Sequence, residues 1–317
     1  MERVRVGDRE LRKVFAATLH ALMRENRDVV YLEADLAGAI GTASLFQTDP
    51  DQAFDVGIME ANMVGVAAGM SLKGKIPFVH SFGTFASRRC TDQAFLSGCY
   101  NRANVKIIGS DPGIAAEANG GTHMPLEDVA IYRAFPEMTV LDIAEPHLLE
   151  AMLRQSVERV GMEYIRFPRK GKKCYYSPEQ TFTIGKGEVL RPGTDVTLVA
   201  SGLEVYESLE AAETLAAEGI NAEVIDMFTI KPLDKELLLR SATRTRCVVT
   251  AENHNIIGGL GSAVAEALIE ELPIPMFRIG ARDHFGEVGS EAFLREKFRM
   301  SAADIVQAAR AVIARKR

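Results

Sequence analysis

Gly57-Ile58-Met59-Glu60-Ala61-Asn62-Met63-Val64-Gly65-Val66-Ala67-Ala68-Gly69 places one carboxylate at the start of an otherwise small and apolar helix. Glu60 is the only ionisable side chain between Gly57 and Ser71. If that helix is buried against a partner, the carboxylate lies in low dielectric and is held protonated or strongly hydrogen-bonded. A purely structural reading is also open, in which Glu60 complements the positive end of a helix. The next segment, Ile76-Pro77-Phe78-Val79-His80-Ser81-Phe82-Gly83-Thr84-Phe85, is a strand-like run ending in a turn. Phe82 and Phe85 share a face if a helix begins there. Two rings beside a buried acid can hold a flat heteroaromatic ring while the acid bonds a ring nitrogen, although phenylalanines at this spacing also serve as plain core.

Outward from this stretch, strand and helix patterns alternate along the chain, which predicts an α/β fold with mainly parallel sheets. With 317 residues and 47% hydrophobic content, two cores can form. The first domain is expected over residues 1–172. It contains a helix from Glu10 to Arg24, strands at Val29–Glu33, Val105–Gly109, Met138–Leu141 and Tyr164–Phe167, and helices through Asp92–Asn101 and Pro146–Val160. A Lys-, Gly- and Pro-rich linker with one hairpin is expected over 173–189, and a second domain over 190–317. That domain restarts with strands at Val196–Ala200, Ala222–Asp226, Cys247–Ala251 and Ile274–Ile279. Helices are expected at Val205–Ala217, at Gly261–Glu270 and from Ala302 onward.

The net charge of −6 is spread out, and no basic stripe supports a nucleic-acid role. Cys90, Cys99, Cys174 and Cys247 form no CxxC pair and none sits at metal-ligand spacing from a histidine, so no metal is assigned to this chain. They read as reduced thiols of a cytoplasmic protein. The charged first twenty residues lack a signal-peptide core, and no run approaches a membrane span. Gly258-Gly259-Leu260-Gly261 lacks the Lys and Ser/Thr of a P-loop and the spacing of GxGxxG, so it reads as a strand-to-helix turn, with His254 before it structural.

Taken together, four motifs resemble the C-terminal half of transketolases: Gly57-Ile58-Met59-Glu60, the Phe82/Phe85 loop, Gly120-Gly121-Thr122-His123-Met124-Pro125 with Glu127-Asp128, and Tyr164-Ile165-Arg166-Phe167-Pro168-Arg169. Thr250-Ala251-Glu252-Asn253-His254 onward resembles that family's C-terminal domain, so the likeness runs the length of the sequence. It implies a pyrimidine-binding domain and a transketolase C-terminal domain, thiamine diphosphate as cofactor, and transfer of a two-carbon ketol unit from a ketose to an aldose. No segment resembles the GDG…N motif that holds the diphosphate. The resemblance is therefore to the C-terminal subunit of a split transketolase, with an N-terminal partner binding Mg²⁺ or Ca²⁺ and an α2β2 assembly.

By residue, the resemblance implies that Glu60 donates a hydrogen bond to N1′ of the aminopyrimidine, a task suited to a carboxyl group of raised pKa. Phe82 and Phe85 match the wall around the pyrimidine, with Arg88 where a third aromatic is usual. Asp35 and Leu36 match the loop approaching the cofactor. His123 matches the histidine that contacts the donor hydroxyl and moves protons, and Arg169 matches the arginine gripping a sugar phosphate. Ala39 replaces a phosphate-binding serine, Asp111 a histidine, and Asn119 an aspartate that senses the acceptor. The catalytic parts are thus expected intact and the substrate parts altered, with weaker grip on ordinary pentose and hexose phosphates or preference for an atypical acceptor or donor. Other readings are the β subunit of a 2-oxoacid dehydrogenase, a 1-deoxyxylulose-phosphate synthase relative, and a non-catalytic regulatory subunit.

Overall fold

The structure is a computed structural model describing residues 4–7, 9–171 and 173–316. The expected domain limits at residues 1, 172 and 317 lie outside the described residues. The chain divides into two compact units. One comprises residues up to Pro112 together with Ile131–Ile184; the other comprises Gly113–Ala130 together with the chain from Gly185. This spatial division departs from the sequence boundaries at two places. The first unit runs on to Ile184, and the loop carrying Asn119 and His123 groups with the second unit.

In the first unit the strands lie in the order Thr139–Asp142, Glu163–Phe167, Lys106–Ser110, Ile76–Phe82, Val29–Glu33, Ala53–Asp55, with every neighbouring pair parallel. Strands covered on both faces read as near-continuous apolar runs, and Val29–Glu33 is buried at all its positions. The titratable side chains within these strands sit opposite one another in register: Glu33 against His80, Lys106 against Glu163, Asp142 against Arg166. Their side chains pair at 2.9, 3.2 and 2.8 Å, satisfying groups that would be costly to bury alone.

Helix Leu11–Glu25 buries Leu11, Val14, Phe15, Thr18, Leu19 and Leu22, a helical stripe, against helix Pro146–Glu158. The latter starts where Glu145 accepts the Leu148 N–H and Pro146 fills the first helical position. Asp92–Asn101 is less uniform than expected: a short turn at Thr91–Gln93 widens into a π-helix over Ala94–Tyr100.

The second unit's sheet runs Met276–Ala281, Val248–Asn255, Val196–Ala200, Ala222–Asp226, Glu188–Arg191, parallel except for the last strand. The hairpin expected over 173–189 is not formed. Lys173–Cys174 pairs with Arg5–Val6, while Glu188–Arg191 joins the edge of the second sheet. Backbone groups in this segment find partners distant in sequence, which local composition cannot report. Two helices missing from the sequence reading, Lys235–Thr245 and Glu291–Lys297, complete the unit with Glu204–Ala217, Leu260–Glu271 and Ala302–Ile313. Lys235–Thr245 buries Leu237, Leu238, Ser241, Ala242 and Thr245 along one face, while its remaining positions are strongly polar, so the segment as a whole reads as hydrophilic.

Candidate functional site

The parallel sheet of the first unit gathers the candidate residues at the carboxyl ends of its strands, where ligands bind in open α/β sheets. Val29–Glu33 leads to Asp35 and Leu36, Ile76–Phe82 ends on Phe82, Lys106–Ser110 leads to Asp111, and Glu163–Phe167 leads to Arg169. Asp35 takes a positive φ of 60° and its N–H donates to Asp55, 3.2 Å away. Leu36 precedes the short helix Ala37–Ile40.

Glu60 opens helix Glu60–Ser71 and is 2% exposed. Ser81 Oγ donates to its Oε1 at 3.0 Å, and the Arg89 guanidinium donates to both oxygens at 3.0 and 3.2 Å. Glu60 is thus strongly hydrogen-bonded, in part through an arginine the sequence reading did not single out. Its signal was present in the basic pair Arg88-Arg89 ending the Phe82/Phe85 segment.

A helix does begin at Gly83, and it brings the Phe82 and Phe85 rings to 6.3 Å between centroids at 33°. Each ring carries a guanidinium: Arg89 lies 3.8 Å from the Phe85 centroid and Arg169 lies 4.8 Å from that of Phe82. Arg88 turns back to hydrogen-bond Thr84.

Asp111 and Arg169 form one unit. Asp111 Oδ1 accepts the Arg169 backbone N–H at 3.0 Å and Oδ2 accepts Nε at 2.6 Å. Burial pushes the Asp111 carboxyl up, opposed by the Arg169 charge. Beneath them runs a buried chain that sequence reasoning did not find. Glu33 accepts from Tyr31 and lies 2.9 Å from His80 Nδ1, while His80 Nε2 lies 3.0 Å from Ser110 Oγ. Burial, reinforced by Glu33, pushes the Tyr31 hydroxyl well above its ordinary value. Only register brings these groups, separated by 47 positions at Glu33 and His80, side by side.

Asn119 and His123 lie on the Gly113–Ala130 segment of the second unit, Asn119 exposed and His123 with its Nδ1 2.9 Å from Thr122 Oγ1. This segment is anchored within its own unit, where Asn253 Oδ1 accepts the Ile114 N–H at 2.9 Å. Gly113, at φ 50°, has no space for a Cβ, which would meet Asn253 Oδ1 at 2.0 Å. The Gly258–Gly261 turn carries its own anion: Glu252 accepts the N–H groups of Leu260 and Gly261 at 2.7 and 2.8 Å, occupying the helix start. His254 is fully buried near Asp128 and Glu252, with Nδ1 2.6 Å from the Asn255 carbonyl.

The four cysteines are buried and form no disulfide among the described residues. Folding places Cys174 with Glu145 and His147, their ligand atoms within 4.8 Å of one another. Glu145 is there the cap of its helix, giving one oxygen to the Leu148 N–H and the other to His147. Among the described residues no helix is long and apolar enough to cross a membrane.

Family models match both parts of the chain: the transketolase pyrimidine binding domain over residues 8–172 and the transketolase C-terminal domain over residues 185–305. The matches define the class as a thiamine-dependent, two-domain α/β enzyme subunit. The chain belongs to the transketolase family.

Among its relatives, a 6-deoxy-6-sulfo-D-fructose transketolase subunit of Clostridium sp. (strain MSTE9) is 49% identical over 99% of this chain and 97% of that protein. A putative transketolase C-terminal section of Methanocaldococcus jannaschii is 39% identical over 94% of each. A solved split gene transketolase, described as an inactive β4 tetramer, is 42% identical with a TM-score of 0.90, covering 98% of this chain and 100% of that one. The chain is thus similar to separate transketolase subunits over nearly their whole length.

Proposed function

We propose that this chain is the C-terminal subunit of a two-subunit transketolase that moves a two-carbon ketol unit from a ketose with an anionic terminus to an aldose. Thiamine diphosphate would be shared with an N-terminal subunit that holds the diphosphate through Mg²⁺ or Ca²⁺, in an α2β2 assembly. The observation that carries this reading is Glu60: a carboxyl group 2% exposed, at a helix start, that shares Arg89 with the Phe85 ring of the Phe82/Phe85 pair. An acid and two aromatic faces suit the edge and the plane of an aminopyrimidine. When bound, the cofactor supplies the electron sink for cleaving the bond next to the ketose carbonyl.

The chain's own residues have separate tasks. Glu60 holds a proton at the pyrimidine edge, with Ser81 fixing the carboxyl group from behind. Asp35 and Leu36 border the cofactor. Arg169, with Asp111, receives the charged end of the sugar. His123 and Asn119 contact sugar hydroxyls, His123 also passing protons.

The sulfosugar named for the Clostridium relative supports a donor with a terminal acid group. The relatives that are separate transketolase subunits and the solved relative described as an inactive β4 tetramer support dependence on a partner. Co-expression with an N-terminal transketolase subunit tests the reading. Ketol transfer from 6-deoxy-6-sulfo-D-fructose or fructose 6-phosphate is expected from the complex and not from the single chain. Turnover of 2-oxoacids instead would establish the dehydrogenase alternative.

A further inference from the structure

We propose that Asp111 is a specificity-determining residue that levels the subsite's preference between singly and doubly charged sugar termini, so that sulfonate and phosphate sugars are accepted alike. The inference rests on the reading of Arg169 as the grip for the sugar's charged end. Two guanidiniums converge on the Ala39 carbonyl, Arg169 Nη1 at 3.2 Å and Arg12 Nη1 at 3.4 Å. Each has its own carboxylate, Asp111 at 2.6 Å from Arg169 and Glu10 at 2.6 Å from Arg12. The four charges sum to zero. Among the described residues the Nη2 group of Arg169 makes no hydrogen bond, which leaves its donors for an anion.

An isolated arginine favours a dianion over a monoanion, because each added negative charge gains Coulomb energy. Here the second charge of a phosphate gains against Arg169 and loses against Asp111 by comparable amounts. The Asp111 and Arg169 side chains are 7% and 14% exposed, so solvent screens neither contribution strongly. A sulfonate carries one charge at every physiological pH, whereas a phosphate monoester changes from one to two near pH 6. A neutral pair leaves these two termini nearly equivalent.

Asp111→Asn tests this, since the amide keeps an oxygen acceptor for the Arg169 N–H while removing the charge. Fructose 6-phosphate and 6-deoxy-6-sulfo-D-fructose would be compared as donors in the complex with the N-terminal subunit, and as ligands of the same complex by calorimetry. The phosphate-to-sulfonate ratio of kcat/KM is expected to rise on the order of tenfold in Asp111→Asn, through KM, and to return in Asp111→Glu. The wild-type ratio should stay flat from pH 8 to pH 5.5, while that of Asp111→Asn falls below pH 6. Equal ratios and equal pH profiles in wild type and Asp111→Asn would overturn the inference. If neither sugar is turned over, the ketol-transfer reading fails, and the ratio of the two binding constants decides the role of Asp111 in the same way.

Discussion

Arg89 donates to both carboxylate oxygens of Glu60, at 3.0 and 3.2 Å, while Glu60 is 2% exposed and the Arg89 side chain 45% exposed. The buried acid is thus held from the solvent side by a half-exposed arginine. The guanidinium also covers the face of Phe85, so one side chain engages both the acid and an aromatic face.

Removing either member should reveal this coupling. Arg89→Met is expected to destabilise the chain by about 1 kcal/mol, a value held down by the exposure of the arginine. Glu60→Gln combined with Arg89→Met should lose less than the sum of the single changes. Urea denaturation of the wild type and the three variants measures the coupling, and strict additivity would show that the contact contributes nothing.

Glu60→Gln and Glu60→Ala should remove most turnover of the assembled enzyme while leaving the fold in place. An amide cannot supply the same proton, so hydrogen–deuterium exchange at the cofactor's C2 should slow by about 10²-fold or more. Nuclear magnetic resonance of the quenched complex measures this, and an unchanged exchange rate would assign Glu60 a structural role.

The purified chain alone is expected to fold and to bind thiamine diphosphate with Mg²⁺ only weakly, because the residues proposed here meet the pyrimidine and not the diphosphate. Calorimetry should show no tight binding until the N-terminal subunit is added. Robust ketol transfer by the single chain would refute the split arrangement.

In the second unit, burial pushes the Glu204 carboxyl up to about 7, against the pull of Arg295 2.5 Å away, which Glu204 shares with Glu207 and Glu291. The folded chain therefore binds this proton more tightly than the unfolded chain, whose ordinary value is 4.5. The resulting stabilisation is complete below pH 4.5 and is lost as pH rises through 7, a span of about 3 kcal/mol. Melting curves between pH 4.5 and 8 should show this fall in the wild type and a flatter profile in Glu204→Gln. Parallel profiles would remove Glu204 from the pH response.

The repeating α/β plan was legible because it is written in local periodicity. Val29–Glu33 and Val196–Ala200 form at the expected residues, and helix Leu11–Glu25 lies within one residue of its expected limits. The segment after Arg169 was not legible in the same way. Its short strands pair with Arg5–Val6 and with Ala222–Asp226, and composition within the segment carries no record of those partners.

The sequence by itself determined the α/β class, the isolated acid at the start of a small-residue helix and the phenylalanine pair after a strand. Each of these is a property of neighbouring residues, expressed through helix and strand periods. Only the tertiary structure decided what those groups touch: Arg89 on Glu60, Asp111 on Arg169, His80 between Glu33 and Ser110, and Glu252 at the Leu260 helix start. Asp111 and Arg169, 58 positions apart, meet because the parallel strands Lys106–Ser110 and Glu163–Phe167 end side by side. Burial then makes pairing obligatory, since an unpartnered charge in low dielectric costs more than the fold can spare.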